Sequence, residues 1–174
     1  MKNAETTLRL GLPKGRMQSQ VIQLMSDAGL PVSVDERGYR PKVGNGSNYA
    51  AGDASLRWEA KLLKPQTTVE MLASGSRDIG FAGADWVKEL DADLVELFDT
   101  ALDPVSVVVA APETLMNAIG SLDAPKVSWA EACGRAPIIA SEYETIAKKW
   151  MRKRIPGAAF IRSYGATEVF PPED

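Results

Sequence analysis

Two basic side chains flank a glycine in the segment Leu12-Pro13-Lys14-Gly15-Arg16, which follows a short run of alternating leucines. A strand that ends in a glycine turn before a helix is a place where backbone N–H groups converge on an anion. Lys14 and Arg16 would add positive charge there. The segment is not a P-loop, which needs more glycines and a Lys-Ser/Thr pair. The spacing alone does not distinguish an anion site from a solvated surface turn.

A second segment, residues 78–85, combines glycines with carboxylates: Asp78, Gly80, Gly83 and Asp85. Glycines there would let a ligand or a neighbouring backbone approach closely. The alternative interpretation is a packed, buried strand with Asp85 as the N-cap of the next helix.

A third segment, residues 164–168, follows a predicted strand and places Gly165 before the carboxylate of Glu168. In open α/β sheets, ligands bind at the edge formed by the carboxyl ends of the strands. Glu168 is therefore a candidate ligand contact, and a plain surface carboxylate is the alternative.

The composition excludes several classes of active site. The 174 residues include no histidine and one cysteine, so Ser-His-Asp, Cys-His and histidine–metal arrangements cannot form. Cys133 is interpreted as a small buried apolar residue, because no general base can be assigned to it. An enzyme of this composition would work through carboxylates, basic side chains, backbone amides or an oxygen-bound cation.

The charge balance and the hydropathy argue against two classes of partner, nucleic acids and membranes. Twenty Lys+Arg against 23 Asp+Glu argue against a nucleic-acid-binding protein. The basic run at residues 148–154 is interpreted as the solvated end of a helix. The first residues are polar, unlike a signal peptide, and the longest apolar stretch, residues 107–112, is too short to cross a bilayer. We therefore expect a cytoplasmic protein with no membrane partner.

Strand and helix patterns alternate along the chain, which predicts an α/β fold with mostly parallel pairing. Residues 32–53 are predicted as a loop or irregular hairpin, and capping boxes are predicted at Thr67–Glu70, Ser128–Glu131 and Ser141–Glu144. The chain is predicted to pass from a first lobe, residues 1–100, to a second lobe, residues 101–174, near residues 99–104. Strands are predicted at residues 8–12, 55–62, 78–83, 94–98, 105–111, 137–140 and 158–161, and helices at 17–28, 67–75, 84–90, 128–134 and 141–154.

Six segments in this order resemble the catalytic subunit of ATP phosphoribosyltransferase: residues 12–16, 63–66, 78–85, 107–112, 139–143 and 165–171. The resemblance implies a two-lobed fold like that of the periplasmic binding proteins, with ligands in the cleft between lobes. It implies the first step of histidine biosynthesis, in which N1 of ATP displaces pyrophosphate from phosphoribosyl pyrophosphate with Mg²⁺ on the leaving group. It also implies a homo-oligomer and a regulatory subunit resembling histidyl-tRNA synthetase.

The resemblance also assigns roles to residues of this chain. Lys14 and Arg16 would be catalytic residues that hold substrate phosphates, and Glu168 would contact ribose hydroxyls or Mg²⁺; no dedicated metal ligand is assigned. The remaining positions would bind substrate: Gly15, Asp78, Gly80, Gly83, Asp85, Tyr143 and Gly165.

The chain departs from the family pattern in three places. Lys64 replaces an arginine, and residues 103–106 replace small and basic residues. The family's D-x-x-x-T-G-x-T loop, which cradles the 5′-phosphate, follows the position of Asp174 and is not among these residues. We therefore expect a first lobe without its C-terminal return segment and little turnover by this chain alone. The alternative function is a non-catalytic domain of the same fold that binds a nucleotide or small anion.

Overall fold

A computed structural model describes residues 6–35, 38–44, 49–50, 53–165 and 167–170. Two compact units make up the chain, Met1–Val105 and Ser106–Asp174. The first contains β1 (Thr6–Pro13), α1 (Gln18–Asp27), β2 (Val32–Ser33), β3 (Lys42–Val43), β4 (Tyr49–Ala50), β5 (Asp53–Leu63), α2 (Pro65–Ala73), β6 (Ile79–Gly80) and α3 (Ala84–Glu89). The second contains α4 (Glu113–Ile119), α5 (Trp129–Cys133), β7 (Ile138–Ser141), α6 (Glu144–Arg154), β8 (Ala159–Arg162) and a 3₁₀ turn at Thr167–Val169. The predicted lobes, 1–100 and 101–174, stay a prediction.

The main sheet of the first unit has the strand order β4-β5-β1-β6. Its inner strand β1 is parallel to both β5 and β6, and only β4 runs antiparallel to its neighbour. In the second unit β7 and β8 are also parallel, and α6 connects them. The predicted α/β class with mostly parallel pairing is confirmed. The predicted irregular hairpin over residues 32–53 contains the antiparallel pair β2–β3; residues 36–37, 45–48 and 51–52 lie outside the described residues.

Apolar periodicity explains how this sheet is covered. In β5 the side chains alternate, with Ala60 and Leu62 buried and Arg57 and Glu59 exposed, as the sequence predicts for a strand with one solvated face. The predicted first helix is confirmed as α1, which buries residues spaced four apart against the sheet. The core consists of Leu10, Leu12, Val21, Met25, Val43, Ala60 and Leu62.

The end of α1 is fixed by a glycine, as predicted. Gly29 has φ +79°, a conformation that glycine adopts at little steric cost. Its N–H donates to Ser26 O, and the N–H of Leu30 donates to Met25 O. These two bonds form a Schellman motif, which satisfies carbonyl groups at the helix end.

The capping box predicted at Thr67–Glu70 is wrong. α2 begins earlier, with the extended residue Lys64 as N-cap, without a side-chain cap, and with Pro65 in the first turn. Proline suits that position because its missing N–H would have no partner inside the helix. Thr67 therefore lies within the first turn rather than before it.

One of the two capping boxes predicted in the second unit is confirmed. Ser128 Oγ accepts the N–H of Glu131, and the Glu131 carboxylate accepts the N–H of Ser128. The box predicted at Ser141–Glu144 is wrong, although its helix forms as α6. Ser141 belongs to β7, and Tyr143 is the N-cap of α6, with no side-chain capping bond.

Helix α4 was not predicted from the sequence. Pro112, which directly follows the strand predicted at residues 105–111, is the N-cap of this helix. Glu113 in the first turn and apolar residues at positions 115, 116 and 119 are the signals that could have identified it. Its buried residue Ile119 packs in the core of the second unit with Trp129 and Ile155.

The strands predicted at residues 94–98 and 105–111 are wrong. Neither segment forms a strand in the structure, and most of their apolar side chains are exposed, with Val95 at 86% and Val108 at 76%. A continuous apolar run becomes a buried strand only when neighbouring strands pair with it and side chains cover its faces. Among the described residues, the sheets contain no strand that pairs with either segment.

Three smaller predictions have mixed outcomes. The strand predicted at residues 78–83 is limited to Ile79–Gly80 and is half-buried. Cys133, predicted to be buried, is also half-buried. The basic run lies in the last turn of α6 as predicted, and Arg152, Lys153 and Arg154 are exposed there.

Within the described residues, no helix combines the length and apolar character needed to cross a bilayer.

Candidate functional site

The Lys14-Gly15-Arg16 loop leaves the sheet at the carboxyl end of β1. The N–H of Lys14 donates to Leu63 O at 2.8 Å, so the loop starts beside the end of the neighbouring parallel strand. Gly15 has φ +100° and turns the chain toward α1, whose first residue, Gln18, donates to Gly15 O at 3.0 Å. The loop therefore lies at the sheet edge where parallel α/β folds bind ligands.

Both basic side chains of this loop contact groups from distant parts of the sequence. Arg16 is 73% exposed, and its Nε and Nη2 donate to Asp103 Oδ2 at 3.2 and 3.0 Å. Lys14 Nζ donates to the Tyr39 hydroxyl at 3.3 Å and lies 4.6 Å from the centroid of that ring. Neither Asp103 nor Tyr39 was identified as part of the site, because separations of 87 and 25 residues leave no periodic signal.

Gly83 and Asp85 follow β6 and lie at the same edge of the sheet. Gly83, not Asp85, is the N-cap of α3, so the alternative interpretation of Asp85 as an N-cap is wrong. Asp85 occupies the first turn, and its Oδ1 lies where a side chain on residue 83 would begin. The glycine lets this carboxylate fold back over the start of the helix, where the macrodipole favours negative charge.

Asp78 lies at the other end of β6, before the strand begins. Arg9 donates to its carboxylate from the backbone N at 2.7 Å, from Nε at 3.0 Å and from Nη2 at 2.7 Å. These hydrogen bonds lower the pKa of Asp78 to about 2. The contacts of Asp78 thus connect β6 to β1, and its predicted contact with substrate stays a prediction.

The packing of Gly80 explains why a glycine is needed there. A Cβ at this position would lie 3.0 Å from Thr68 Cγ2, 3.2 Å from Leu72 Cδ1 and 3.3 Å from Gly11 O. A Cβ at this position would therefore require the Thr68 and Leu72 side chains and the Gly11 carbonyl to give way by a few tenths of an ångström. The described contacts of Gly80 are with α2 and β1.

In the second unit, Tyr143, Gly165 and Glu168 follow the carboxyl ends of β7 and β8. The N–H of Tyr143 donates to Ser141 Oγ at 3.0 Å. Gly165 has φ +108°, and Glu142 Oε1 lies 3.8 Å from where a Cβ on it would be. Glu168 is exposed in the 3₁₀ turn. These residues therefore share one edge of the β7–β8 sheet; Ala166 and Pro171 of the 165–171 motif lie outside the described residues.

Charged side chains beside this edge form a further group that the sequence did not indicate. Glu144 binds Lys148 at 2.6 Å and Arg162 at 3.5 Å. The hydrogen bond from Lys148 is the main cause that lowers the pKa of Glu144. Arg162 also lies 5.6 Å from the centroid of the exposed Tyr164 ring.

Within the described residues, no cluster of three or more carboxylates or thiols could hold a metal ion.

Sequence comparisons identify the proteins that this chain is similar to. Residues 64–174 match the family described as HisG: ATP phosphoribosyltransferase. The chain is 35% identical over 178 residues to an ATP phosphoribosyltransferase of Chlorobaculum parvum, covering 99% of this chain and 53% of that protein. It is 32% identical over 171 residues to one from Pelotomaculum thermopropionicum, covering 95% and 52%. The chain therefore spans about half the length of these curated relatives.

A solved structure supports the fold. The structure described as an ATP phosphoribosyl transferase (HisG:HisZ) complex from Thermotoga maritima matches with a TM-score of 0.58 and 16% sequence identity. The match covers 95% of this chain and 69% of that chain. At this identity the likeness concerns the fold alone, and it agrees with the mostly parallel α/β arrangement described above.

Proposed function

The chain belongs to the ATP phosphoribosyltransferase family, and we propose that it acts in the transfer of a phosphoribosyl group to N1 of ATP. In this reaction the bond between adenine N1 and ribosyl C1 forms while the bond from C1 to pyrophosphate breaks. Pyrophosphate leaves with the electron pair, and the product is the first intermediate of histidine biosynthesis. The observation that carries the proposal is the exposed Arg16 guanidinium on the Lys14-Gly15-Arg16 loop at the carboxyl end of β1.

The chemistry explains how a chain without histidine can take part in catalysis. Adenine N1 has a free lone pair, so its attack requires no general base. The protein must instead align N1 with C1 and stabilise charge on the leaving pyrophosphate and on an oxocarbenium-like ribosyl centre. Basic side chains and backbone amides supply such stabilisation without a titrating group.

We propose that the Lys14-Gly15-Arg16 loop binds the phosphates of the nucleotide. A guanidinium binds phosphate oxygens through paired N–H donors, and an ammonium acts as a point charge. Arg16 is exposed, and Lys14 is held beside Tyr39. The turn at Gly83 and Asp85 lies at the same sheet edge, which supports its assignment to the nucleotide side of the site.

We assign the ribosyl side of the site to Tyr143, Gly165 and Glu168, which share the edge of the second sheet. Mg²⁺, the implied cofactor, commonly binds through one or two carboxylates together with substrate phosphates. Glu168 is an exposed carboxylate beyond β8 and fits that mode. When bound to pyrophosphate, Mg²⁺ would neutralise part of the charge on the leaving group.

The wider assembly is also a proposal. The two units would correspond to the lobes of a periplasmic-binding-protein-like fold with the substrates in the cleft between them. The similar Thermotoga maritima structure is described as a HisG:HisZ complex, which supports a partner subunit for this chain as well. We propose a homo-oligomer with a regulatory partner that resembles histidyl-tRNA synthetase, in the cytoplasm.

Adenine selectivity tests the proposed function. In GTP, N1 carries a proton and has no free lone pair, so GTP cannot accept the phosphoribosyl group as ATP does. We expect calorimetry to show binding of ATP. We also expect pyrophosphate release from phosphoribosyl pyrophosphate to be slow and to require ATP.

These measurements distinguish phosphoribosyl transfer from nucleotide binding without turnover. ATP binding without any ATP-dependent pyrophosphate release would favour the alternative, a nucleotide-binding domain without turnover. No ATP binding would contradict the nucleotide site itself, and pyrophosphate release with GTP as fast as with ATP would contradict transfer to N1.

A further inference from the structure

Arg16 is held by a carboxylate from the same unit. Its Nε and Nη2 both donate to Asp103 Oδ2, at 3.2 and 3.0 Å. The Asp103 side chain is 24% exposed, whereas that of Arg16 is 73% exposed. The loop proposed to bind substrate phosphates thus already holds an anion supplied by the chain.

The backbone around Asp103 is shaped to present this carboxylate. Ala101 and Asp103 have φ values of +52° and +46°, a region that residues other than glycine rarely occupy. Between them, Leu102 packs against the core of the first unit. Asp99 Oδ1 also accepts the N–H of Ala101 at 2.8 Å. An anchored leucine between two left-handed residues fixes where Asp103 lies.

Carboxylate and phosphate oxygens compete for the same guanidinium donors. We propose that Asp103 is an internal competitor for ligand phosphate at Arg16, so that a phosphate group binds this loop by displacing Asp103. The inference rests on the proposed function, which makes Arg16 a phosphate ligand. It deepens that function by adding selectivity, because a multiply charged polyphosphate displaces a single carboxylate more readily than a weakly charged anion does.

Charge removal at Asp103 tests the proposal. Asp103→Asn keeps the shape of the side chain, and asparagine tolerates the left-handed conformation, so we expect it to fold. We expect its affinity for ATP and for inorganic tripolyphosphate to rise roughly three- to tenfold, with a smaller gain for inorganic phosphate. The gain should vanish in the Arg16→Ala background, because the competition acts through that guanidinium. Asp103→Ser serves as a second variant without the charge.

Asp99→Asn is the matched control, since it removes one charge from the same segment and keeps an oxygen that can accept the N–H of Ala101. An equal gain in this control would show a general charge effect and overturn the proposal. A loss of affinity in Asp103→Asn would also overturn it, because Asp103 would then position Arg16 rather than compete with ligand. Unchanged ATP affinity in Asp103→Asn, with ATP bound by the wild type, would overturn the inference and leave the proposed function standing. An Arg16-dependent gain for tripolyphosphate, without ATP binding in any variant, would support the competition and contradict the nucleotide function.

Discussion

The Arg9–Asp78 pair makes the stability of the first unit depend on pH. Hydrogen bonds from Arg9 hold the pKa of Asp78 at about 2, below its ordinary value of 3.8. A carboxyl with a lowered folded pKa stabilises the fold above its unfolded pKa and loses that contribution as the pH falls toward the folded pKa. We therefore expect the excess stability of wild type over Asp78→Asn to be full at about pH 5 and to shrink between about pH 4 and pH 2.

Urea unfolding at a series of pH values measures this difference. Asp93→Asn, which removes an exposed carboxylate outside this pair, is the matched control. A difference between wild type and Asp78→Asn that stays constant from about pH 5 to about pH 2 would contradict the coupling.

Arg77 is a buried cation whose partner is half-exposed. Its side chain is 4% exposed, and it donates to Glu59 O at 3.2 Å and to Glu59 Oε1 at 3.4 and 3.5 Å. Removing the carboxylate leaves a buried charge with less compensation, so Glu59→Ala is expected to cost about 1–3 kcal/mol. In a double-mutant cycle, adding Arg77→Met should recover part of this loss. Additive free energies of unfolding would show that the pair is not coupled.

The residue types of the candidate site could be predicted from sequence, but their surroundings could not. The glycine flanked by two cations predicted a turn that is either an anion site or a solvated surface loop, because local backbone geometry follows from short-range pattern. Asp103 and Tyr39 approach the loop only after the first unit folds. Thr68 likewise explains Gly80 only through packing between helix and sheet.

Among the helices, the capping box at Ser128–Glu131 offers a direct test of local stability. Its two reciprocal hydrogen bonds satisfy N–H groups at the start of α5. Ser128→Ala is expected to lower the free energy of unfolding by about 1 kcal/mol. Thr67→Ala, at the position of the wrongly predicted box, should change it by less than about 0.5 kcal/mol. Equal effects of the two substitutions in chemical denaturation would contradict this assignment of caps.

The elements that were predicted correctly carry strong local signals. Strict alternation identified β5, and apolar spacing with a terminal glycine identified α1. The predictions failed where a long-range partner decides the outcome. Residues 105–111 have the composition of a buried strand, but a strand requires neighbours that the described residues do not supply.

At the scale of the whole molecule, one segment of the described chain exposes several large apolar side chains. Between residues 95 and 109 the exposed large side chains are Val95, Leu97, Phe98, Val105, Val107, Val108 and Val109. Extended apolar segments without strand partners promote association. We expect concentration-dependent association in sedimentation velocity, and a shift toward monomer when Val95→Lys and Val108→Lys are combined.

Asn117→Lys adds charge at an exposed position of α4 and serves as the control for a general charge effect. It should leave the association unchanged. A wild-type chain that stays monomeric at high concentration would contradict this role for the apolar segment, as would the same shift in the control.

The central claim is that the Lys14-Gly15-Arg16 loop binds the phosphates of ATP, and calorimetric titration of ATP into wild type and Arg16→Ala tests it most directly. Loss of charge-assisted hydrogen bonds should weaken binding by about 1.5–3 kcal/mol, or roughly 10- to 150-fold. Arg57→Ala, which removes an exposed arginine from β5, should bind ATP like wild type, and the thermal unfolding of both variants should stay close to that of wild type. An Arg16→Ala chain that binds ATP as tightly as wild type would contradict the account.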